Sequence, residues 1–167
     1  EIGLIYQSGS RAVQLLAQQR LMNASNLDDR LDSLGFVTTA LKYDPIISSL
    51  YIGYDTGDFF LVRSYRGNEK VKQRFQPPAT TRWIVQSISQ PNGRLRGEYL
   101  YFDESLHLLA QRVDPDYRYD PRTRDWYQAK TSPQQLLLSQ PYYFFSDGLL
   151  GMSFSQQTLN QKGVVGG

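Results

Sequence analysis

The sequence contains no cysteine and one histidine, His107, among its 167 residues. The absence of cysteine excludes a disulfide, a thiol nucleophile, a zinc–thiolate site and an iron–sulfur cluster. A catalytic triad or a histidine-based metal site would have to be built around His107 alone, and that residue lies in a strand-like pattern typical of a surface or core histidine. We therefore expect no metal and no cofactor.

Long hydrophobic runs and an excess of one charge are also missing. No apolar run approaches the roughly 18 to 20 residues of a membrane span, and no signal peptide is visible. The net charge of +2 is too small to predict nucleic acid or an anionic membrane surface as a partner. The chain starts at Glu1 without a methionine and ends in the strand-like stretch 163–167. We therefore expect both ends to lie within a longer protein.

Residues 3–42 carry the apolar spacing of helices, with a change of phase near residues 23–26. Asn26, followed by Asp28 and Asp29, is a good N-cap with acidic residues in the first turn, so a second helix is predicted to start there. The first helix is predicted to be long and amphipathic. It could continue from a membrane span or be an ordinary packing helix, and the pattern leaves both open.

After Asp44-Pro45 the period becomes strand-like. The polar and basic stretch 66–82 is predicted to be a surface loop, residues 114–124 an irregular loop, and a short helix is predicted from Asp125 to Lys130. Strands are predicted at 49–54 and 59–65, which form a hairpin, and at 83–90, 96–102, 106–113, 140–145, 149–155 and 163–167. The predicted fold class is α+β, with the two helices packed on an antiparallel sheet of five to six strands. The helical segment spans 1–45 and the sheet module 46–167.

The segment 119–127 concentrates two arginines, two tyrosines and a tryptophan in nine residues. Arginine presents a planar fork of donors to a carboxylate, while tyrosine and tryptophan add donors and π faces that can surround an ammonium group. The segment could therefore bind a zwitterion. A packing interpretation stays open beside it: Trp126 and Tyr127 fill the core, and the arginines pair with Asp114, Asp116 or Asp120.

The run Tyr-Asp-Pro-Arg-x-Arg-x-Trp-Tyr in this segment resembles the signature of double-Cache sensor domains, which are PAS-like modules of bacterial transmembrane receptors. Residues 50–54, 57–60, 140–142 and 163–166 fall in the family's order. The resemblance implies a membrane-distal PAS-like module over 46–167. It also implies a non-catalytic, extracytoplasmic domain, anchored by segments outside this chain, in a receptor such as a sensor histidine kinase or a nucleotide cyclase.

The resemblance further implies a ligand pocket between the motif loop and the sheet. In the amino-acid-binding members, the positions that match Tyr119, Arg124 and Trp126 hold the ligand carboxylate, and those that match Tyr127 and Tyr142 hold its amine. A small carboxylate or an amino-acid-like molecule is the expected ligand.

Two other classes of function remain as alternatives. The first is a structural or dimerisation module with a degenerate pocket and no small-molecule ligand. Only a weak homodimer is expected, because no long apolar seam continues past Asn23. The second is a hydrolase that uses Asp103, Asp120 or His107. Asp103 and Glu104 could imitate a glycosidase pair, but adjacent turn residues point apart.

Overall fold

The computed structural model describes residues 11–16, 20–129, 132–133, 135–143 and 150–167. The helices are α1 (11–16), α2 (Leu27–Leu31), α3 (Leu34–Tyr43), α4 (Glu69–Phe75) and α5 (Asp125–Gln128), with 3-10 turns at Arg20–Asn23, Pro91–Gly93 and Pro121–Thr123. Most of the predicted first helix lies outside the described residues. The second begins where the sequence predicts, because the Asn26 side chain accepts a hydrogen bond from the Asp29 N–H at 2.9 Å. The single helix predicted here is in fact two helices, because a turn at Ser33 separates α2 from α3.

The strands confirm the α+β class. They are β1 (Ser49–Tyr54), β2 (Phe59–Ser64), β3 (Trp83–Ser89), β4 (Arg96–Phe102), β5 (Leu108–Val113), β6 (Leu137–Leu138), β7 (Tyr142–Tyr143), β8 (Leu150–Gly151), β9 (Phe154–Gln157) and β10 (Gly163–Gly166). An eight-stranded antiparallel sheet has the order β5-β4-β3-β2-β1-β10-β9-β6, while β7 and β8 form a separate pair. The sheet is therefore wider than the predicted five to six strands, because the short strands β9 and β6 continue it beyond β10.

The predicted hairpin is confirmed, with Gly53 opposite Phe59 and the Tyr54 N–H donating to the Asp58 carbonyl at 2.9 Å. The predicted strand 149–155 is instead two strands, β8 and β9, which belong to different sheets. Of the predicted strand 140–145, Tyr142–Tyr143 is extended, and residues 144–149 lie outside the described part. The helix predicted from Asp125 to Lys130 is α5, which ends at Gln128, and Lys130 lies outside the described residues.

The prediction of a surface loop over 66–82 is wrong for its central part, which forms α4. Asn68 caps this helix by accepting hydrogen bonds from the N–H groups of Lys70 and Val71 at 3.0 and 3.2 Å. Val71 and Phe75, four residues apart on one face, are buried against the sheet. The polar and charged residues between them face outward. They dominate the composition of this stretch, so the apolar pair alone does not indicate a helix in the sequence.

The two faces of the sheet carry different layers. On the first face, residues of β1 to β4 pack under α1, α2 and α3 in a cluster that is mostly aliphatic and includes Val13, Leu16, Leu41 and Ile52. The second face is aromatic, and is covered by α4 and by the segment 117–127. Its cluster contains Tyr51, Phe59, Leu61, Val71, Phe75, Ile84, Ile88, Tyr99, Tyr101, Tyr117, Trp126, Tyr127 and Val164.

Candidate functional site

The segment 119–127 lies across the second face of the sheet. The Trp126 ring meets Tyr51 of β1 edge-on, with 4.8 Å between ring centroids, and the Tyr119 ring lies 4.6 Å from Phe59 of β2. Alternation along β1 and β2 points Tyr51 and Phe59 to this face. The segment is therefore held on the sheet by aromatic contacts.

Local hydrogen bonds give the segment its shape. The Asp120 carboxylate accepts from the backbone N–H of Arg122 at 3.0 Å, and Pro121 occupies the first position of the 3-10 turn that follows. The Arg124 N–H closes this turn on the Pro121 carbonyl at 3.1 Å, and α5 begins at the next residue, Asp125. The backbone therefore presents the Arg124 side chain at the junction of the turn and the helix.

A glycine allows the segment to approach β1 closely. A Cβ atom at Gly53 would lie 2.6 Å from the Cβ of Pro121 and 2.9 Å from Cη2 of Trp126. Both distances are shorter than real Cβ contacts, so any larger residue at this position would push the segment away from the sheet.

Three of the predicted ligand-binding residues come together on this face. The Arg124 guanidinium lies 4.8 Å from the centre of the Tyr119 ring, and the Trp126 indole N–H donates to the Tyr119 hydroxyl at 3.2 Å. Arg124 and Tyr119 are half-buried, while Trp126 is buried. A carboxylate can accept hydrogen bonds from all three of these groups: the guanidinium, the phenol and the indole.

Of the other two predicted residues, the structure describes the side chain of Tyr127 but not that of Tyr142. Tyr127 is buried in the same aromatic cluster and meets Trp126 edge-on, 5.9 Å between centroids. Tyr142 lies in β7 opposite Gly151, and its side chain is outside the described residues. The packing interpretation also holds in part, since Trp126 and Tyr127 are core residues and Arg122 pairs with Asp120 through Nη2 and Oδ2 at 2.9 Å.

A polar chain on the sheet beneath the segment was not predicted. The buried Arg63 donates through Nη2 to Oε1 of Gln86 at 3.3 Å, and Nε2 of Gln86 donates to the Tyr117 hydroxyl at 3.2 Å. The available signal was a charged residue inside Phe-Phe-Leu-Val-Arg, a run otherwise apolar on both faces of the strand. Arg63 therefore adds a buried positive group to this face, beside the half-buried Arg124.

Burial dominates the electrostatics of the tyrosines here. It raises the pKa of Tyr117 well above that of free tyrosine, and the hydrogen bond from Gln86 opposes this only in part. Burial also raises the pKa of Tyr99, which stacks on Tyr117 with 5.0 Å between centroids, and the nearby Asp114 carboxylate adds to the effect. Both phenols are therefore neutral donors and acceptors at physiological pH.

Of the residues considered for hydrolysis, Asp120 belongs to the segment 119–127 and pairs with Arg122, while Asp103, Glu104 and His107 lie elsewhere, on the surface. His107 Nδ1 lies 3.1 Å from Oδ2 of Asp103, and backbone and side-chain hydrogen bonds from His107 lower the pKa of that carboxyl. Glu104 pairs with Lys42 at 2.7 Å and with Arg82 at 3.3 Å. These acids therefore make surface ion pairs and do not face each other across a cleft.

The described part of the chain contains no group of three or more histidine, aspartate and glutamate side chains placed to hold a metal ion. Among the same residues, no helix has the length and apolar character needed to cross a membrane.

No protein-family model matches the sequence. Over 135 residues, or 80% of this chain, the sequence is 27% identical to Adenylate cyclase 1 of Rhizobium meliloti (strain 1021), and the match covers 20% of that protein. The fold is similar to the ligand-binding domain of the Pseudomonas fluorescens chemoreceptor CtaA in complex with L-serine, with a TM-score of 0.43 at 16% identity. The match covers 99% of this chain and 57% of that one. The chain thus spans about one fifth of the curated relative that it is similar to.

Proposed function

We propose that this chain is the extracytoplasmic ligand-sensing domain of a bacterial membrane receptor, not itself catalytic, and that it binds a small carboxylate or amino-acid-like molecule between the segment 119–127 and the sheet. The observation that carries this proposal is the convergence of the Arg124 guanidinium, the Tyr119 hydroxyl and the Trp126 indole N–H on one aromatic face. A fork of charged donors beside aromatic rings favours a carboxylate with an apolar or ammonium-bearing body.

In the bound state, Arg124 takes one ligand carboxylate through its two outer nitrogens, and Tyr119 and Trp126 orient the same group. Tyr127 and Tyr142 surround the amine. The polar chain that starts at Arg63 forms the floor of the site. A ligand that binds one arrangement of the segment more tightly than another shifts the balance between them, which is all that signalling requires.

The similarity to part of an adenylate cyclase supports a nucleotide cyclase as the output. A sensor histidine kinase remains the second output class. The receptor is anchored by segments outside this chain, and a topology reporter fused to the domain in the full receptor should be active outside the cytoplasm. Activity in the cytoplasm alone would contradict this location.

A thermal-shift screen of the chain against amino acids, organic acids and amines tests the ligand class. A ligand that binds only the folded state raises the melting temperature with concentration. We expect carboxylates to produce the shift. A panel in which only compounds without a carboxylate bind would contradict the proposal.

Variants of the two motif arginines locate the site. Arg124→Ala removes hydrogen bonds to a charged group worth about 1.5 to 3 kcal/mol, so the affinity for the ligand found should fall roughly tenfold to over a hundredfold. Arg124→Lys should also lose affinity, because an ammonium cannot reproduce the fork. Arg122→Ala is the matched control, since Arg122 pairs with Asp120 and is exposed. Unchanged affinity in folded Arg124→Ala would refute the carboxylate role of Arg124.

A further inference from the structure

A cavity of about 490 Å³ lies at one corner of the sheet, between the turn that joins β3 to β4 and the chain that follows β5. Its lining residues belong to the stretches 91–97 and 113–118. Small-molecule sites in proteins usually have volumes of roughly 300 to 1,000 Å³. The cavity is therefore large enough for a small organic molecule.

Backbone hydrogen bonds and one glycine fix the two walls of this cavity. The Arg94 N–H closes the turn on the Pro91 carbonyl at 3.1 Å, and the Asp114 N–H donates to the Gly97 carbonyl at 2.9 Å. A Cβ atom at Gly97 would collide with the Tyr117 carbonyl oxygen and lie 2.9 Å from the Tyr117 Cβ. Glycine at this position thus lets the walls approach closely, and the cavity is formed by the fold itself.

Part of the lining is apolar and open to solvent. Leu95 is 48% exposed and Val113 is 46% exposed, and both line the cavity. Pro91 and Pro115 are exposed beside them. Covering such surface with an apolar body is favourable by about 25 cal/mol per Å². The cavity therefore offers an apolar contact to the body of a ligand.

The rest of the lining is mainly cationic. Three arginines line the cavity: Arg94, Arg96 and Arg118. Arg96 is balanced by Glu98, which lies 2.7 Å from its Nε. Arg94 and Arg118 are exposed, and neither makes an ion pair within the part of the chain that the structure describes. Two guanidiniums are therefore available to an anion in this cavity.

One acid, Asp114, also lines the cavity, but its carboxylate is engaged by its own surroundings. Oδ1 accepts from the Asp116 N–H at 2.9 Å, and Oδ2 accepts from the Tyr99 hydroxyl at 3.3 Å. These bonds direct the carboxylate to its own turn and to the sheet. Three arginines against one acid leave the lining positive.

We propose that this cavity binds a small organic anion with an apolar body, of which an aromatic carboxylate is the simplest example. Arg94 and Arg118 hold the acidic group, because guanidiniums form charge-assisted hydrogen bonds to carboxylates. Leu95 and Val113 contact the body. This site is additional to the one proposed at the segment 119–127, where the half-buried Arg124 lies among aromatic rings.

The combination of charge and apolar surface defines the ligand class. Exposed arginines hold an inorganic anion weakly, because water and salt screen the attraction. A neutral ring gains the apolar contact alone. A molecule that carries both groups gains both contributions, so its affinity should exceed that of either partial ligand.

Nuclear magnetic resonance of the ¹⁵N-labelled chain tests the site with benzoate as the probe. We expect the backbone amide signals of 92–97 and 113–118 to shift together, with a dissociation constant of about 0.1 to 5 mM for a ligand of this size. Signals of 122–127 report on the proposed sensor site separately, so failure at one site is distinguishable from failure at the other. An absence of shifts at 92–97 and 113–118 at benzoate concentrations well above that range would overturn the proposal.

Two partial ligands test the ligand class. Benzyl alcohol keeps the ring and lacks the charge, while inorganic phosphate keeps a charge and lacks the ring. Each should bind at least about fivefold more weakly than benzoate, since each loses one of the two contributions. Equal affinity for benzyl alcohol would show that the arginines have no role. Equal affinity for phosphate would show that the apolar surface has none.

Variants of the lining test the residues. Arg94→Gln and Arg118→Gln should each weaken benzoate binding about two- to fivefold, as expected for exposed charges, and the double variant about tenfold. Leu95→Ala should weaken it by a similar factor by removing apolar contact. Arg66→Gln is the matched control, because Arg66 is exposed and follows the end of β2 that lies away from the β3–β4 turn. Unchanged binding in the double variant, or an equal loss in Arg66→Gln, would refute the assignment.

Discussion

Arg30 and Asp58 form a buried ion pair that joins α2 to the turn between β1 and β2, with 2.7 Å between Nη2 and Oδ2. Arg30 is only 1% exposed, and its guanidinium lies 4.3 Å from the centre of the Tyr54 ring. The Tyr54 hydroxyl donates to the Leu21 carbonyl at 2.7 Å, and Asp58 also accepts from Gln90 at 3.3 Å. The helical layer is therefore attached to the hairpin on which the candidate site is built.

Asp58→Ala should destabilise the fold strongly, because it leaves the Arg30 charge buried without its carboxylate. Breaking a buried pair from one side costs about 3 to 5 kcal/mol. Urea unfolding at pH 7 measures the loss. Asp55→Asn, at an exposed position in the same turn, should change the free energy of unfolding by less than about 0.5 kcal/mol. A small effect of Asp58→Ala would mean that water reaches Arg30.

The sequence predicts the elements whose pattern and end signals agree. Asn26 places the start of α2, and the hairpin of β1 and β2 follows from its apolar runs and the Gly57 turn. Helix α4 was missed because its apolar face consists of two residues, Val71 and Phe75, and its stability comes from the Asn68 cap and the sheet beneath. The width of the sheet was missed because β6 has two residues and cannot be recognised by period.

The candidate site also has a part that the sequence predicts and a part that it does not. The segment 119–127 was found as a motif because its residues are contiguous. Arg63, Gln86 and Tyr117 were not found, because strand pairing brings them together from three distant parts of the chain. The buried pair of Arg30 and Asp58 has the same origin. Long-range polar contacts have no local signature beyond a charged residue in an apolar run.

Gly53→Ala should displace the segment 119–127 from the sheet. The added Cβ would meet Pro121 and Trp126 at distances that neither ring can tolerate without moving. We expect a loss of about 1 to 3 kcal/mol in the free energy of unfolding and a change in tryptophan emission, because Trp126 becomes more exposed to solvent. Gly35→Ala is the control, because a Cβ there lies 4.0 Å from Leu106 in ordinary contact. Unchanged emission and stability in Gly53→Ala would show that the segment is not closely packed.

Asp120→Asn should cause a small loss of stability that depends on pH and salt. Hydrogen bonds from Arg122 lower the pKa of Asp120, so the ionised pair contributes stability above the ordinary carboxyl pKa, and this contribution is lost as the pH falls through the lowered value. Both side chains are partly exposed, 46% for Arg122 and 40% for Asp120, and such pairs are worth at most about 1 kcal/mol. Asparagine keeps the oxygen that accepts from the Arg122 N–H.

Urea unfolding of the parent and of Asp120→Asn from pH 7 to pH 2 measures the contribution of the Asp120 charge, because both chains keep the cap. The difference in free energy should be present at pH 7, decrease in high salt, and vanish at the lowest pH. A difference that persists at pH 2 would mean that the charge of Asp120 does not account for its contribution to stability.

The buried tyrosines should make the fold sensitive to alkali. Burial raises the pKa values of Tyr54, Tyr99 and Tyr117 in the folded chain, whereas an unfolded tyrosine loses its proton near pH 10. Above that pH the folded state binds more protons than the unfolded state, so stability falls as the pH rises. Each such tyrosine contributes a slope of about 1.4 kcal/mol per pH unit.

Tyr99→Phe should remove one of these contributions and flatten the decline in stability above pH 10 by about 1.4 kcal/mol per pH unit. At pH 7 its effect should be small, since the hydrogen bond that Tyr99 donates to Asp114 is long, at 3.3 Å. Tyr43→Phe is the control, because Tyr43 is exposed and should leave the slope as it is. Urea unfolding at closely spaced pH values between 9 and about 11.5 provides the slopes. A slope in Tyr99→Phe equal to that of the parent would mean that the Tyr99 phenol ionises in the folded chain, and that solvent reaches the aromatic face beneath the segment 117–127.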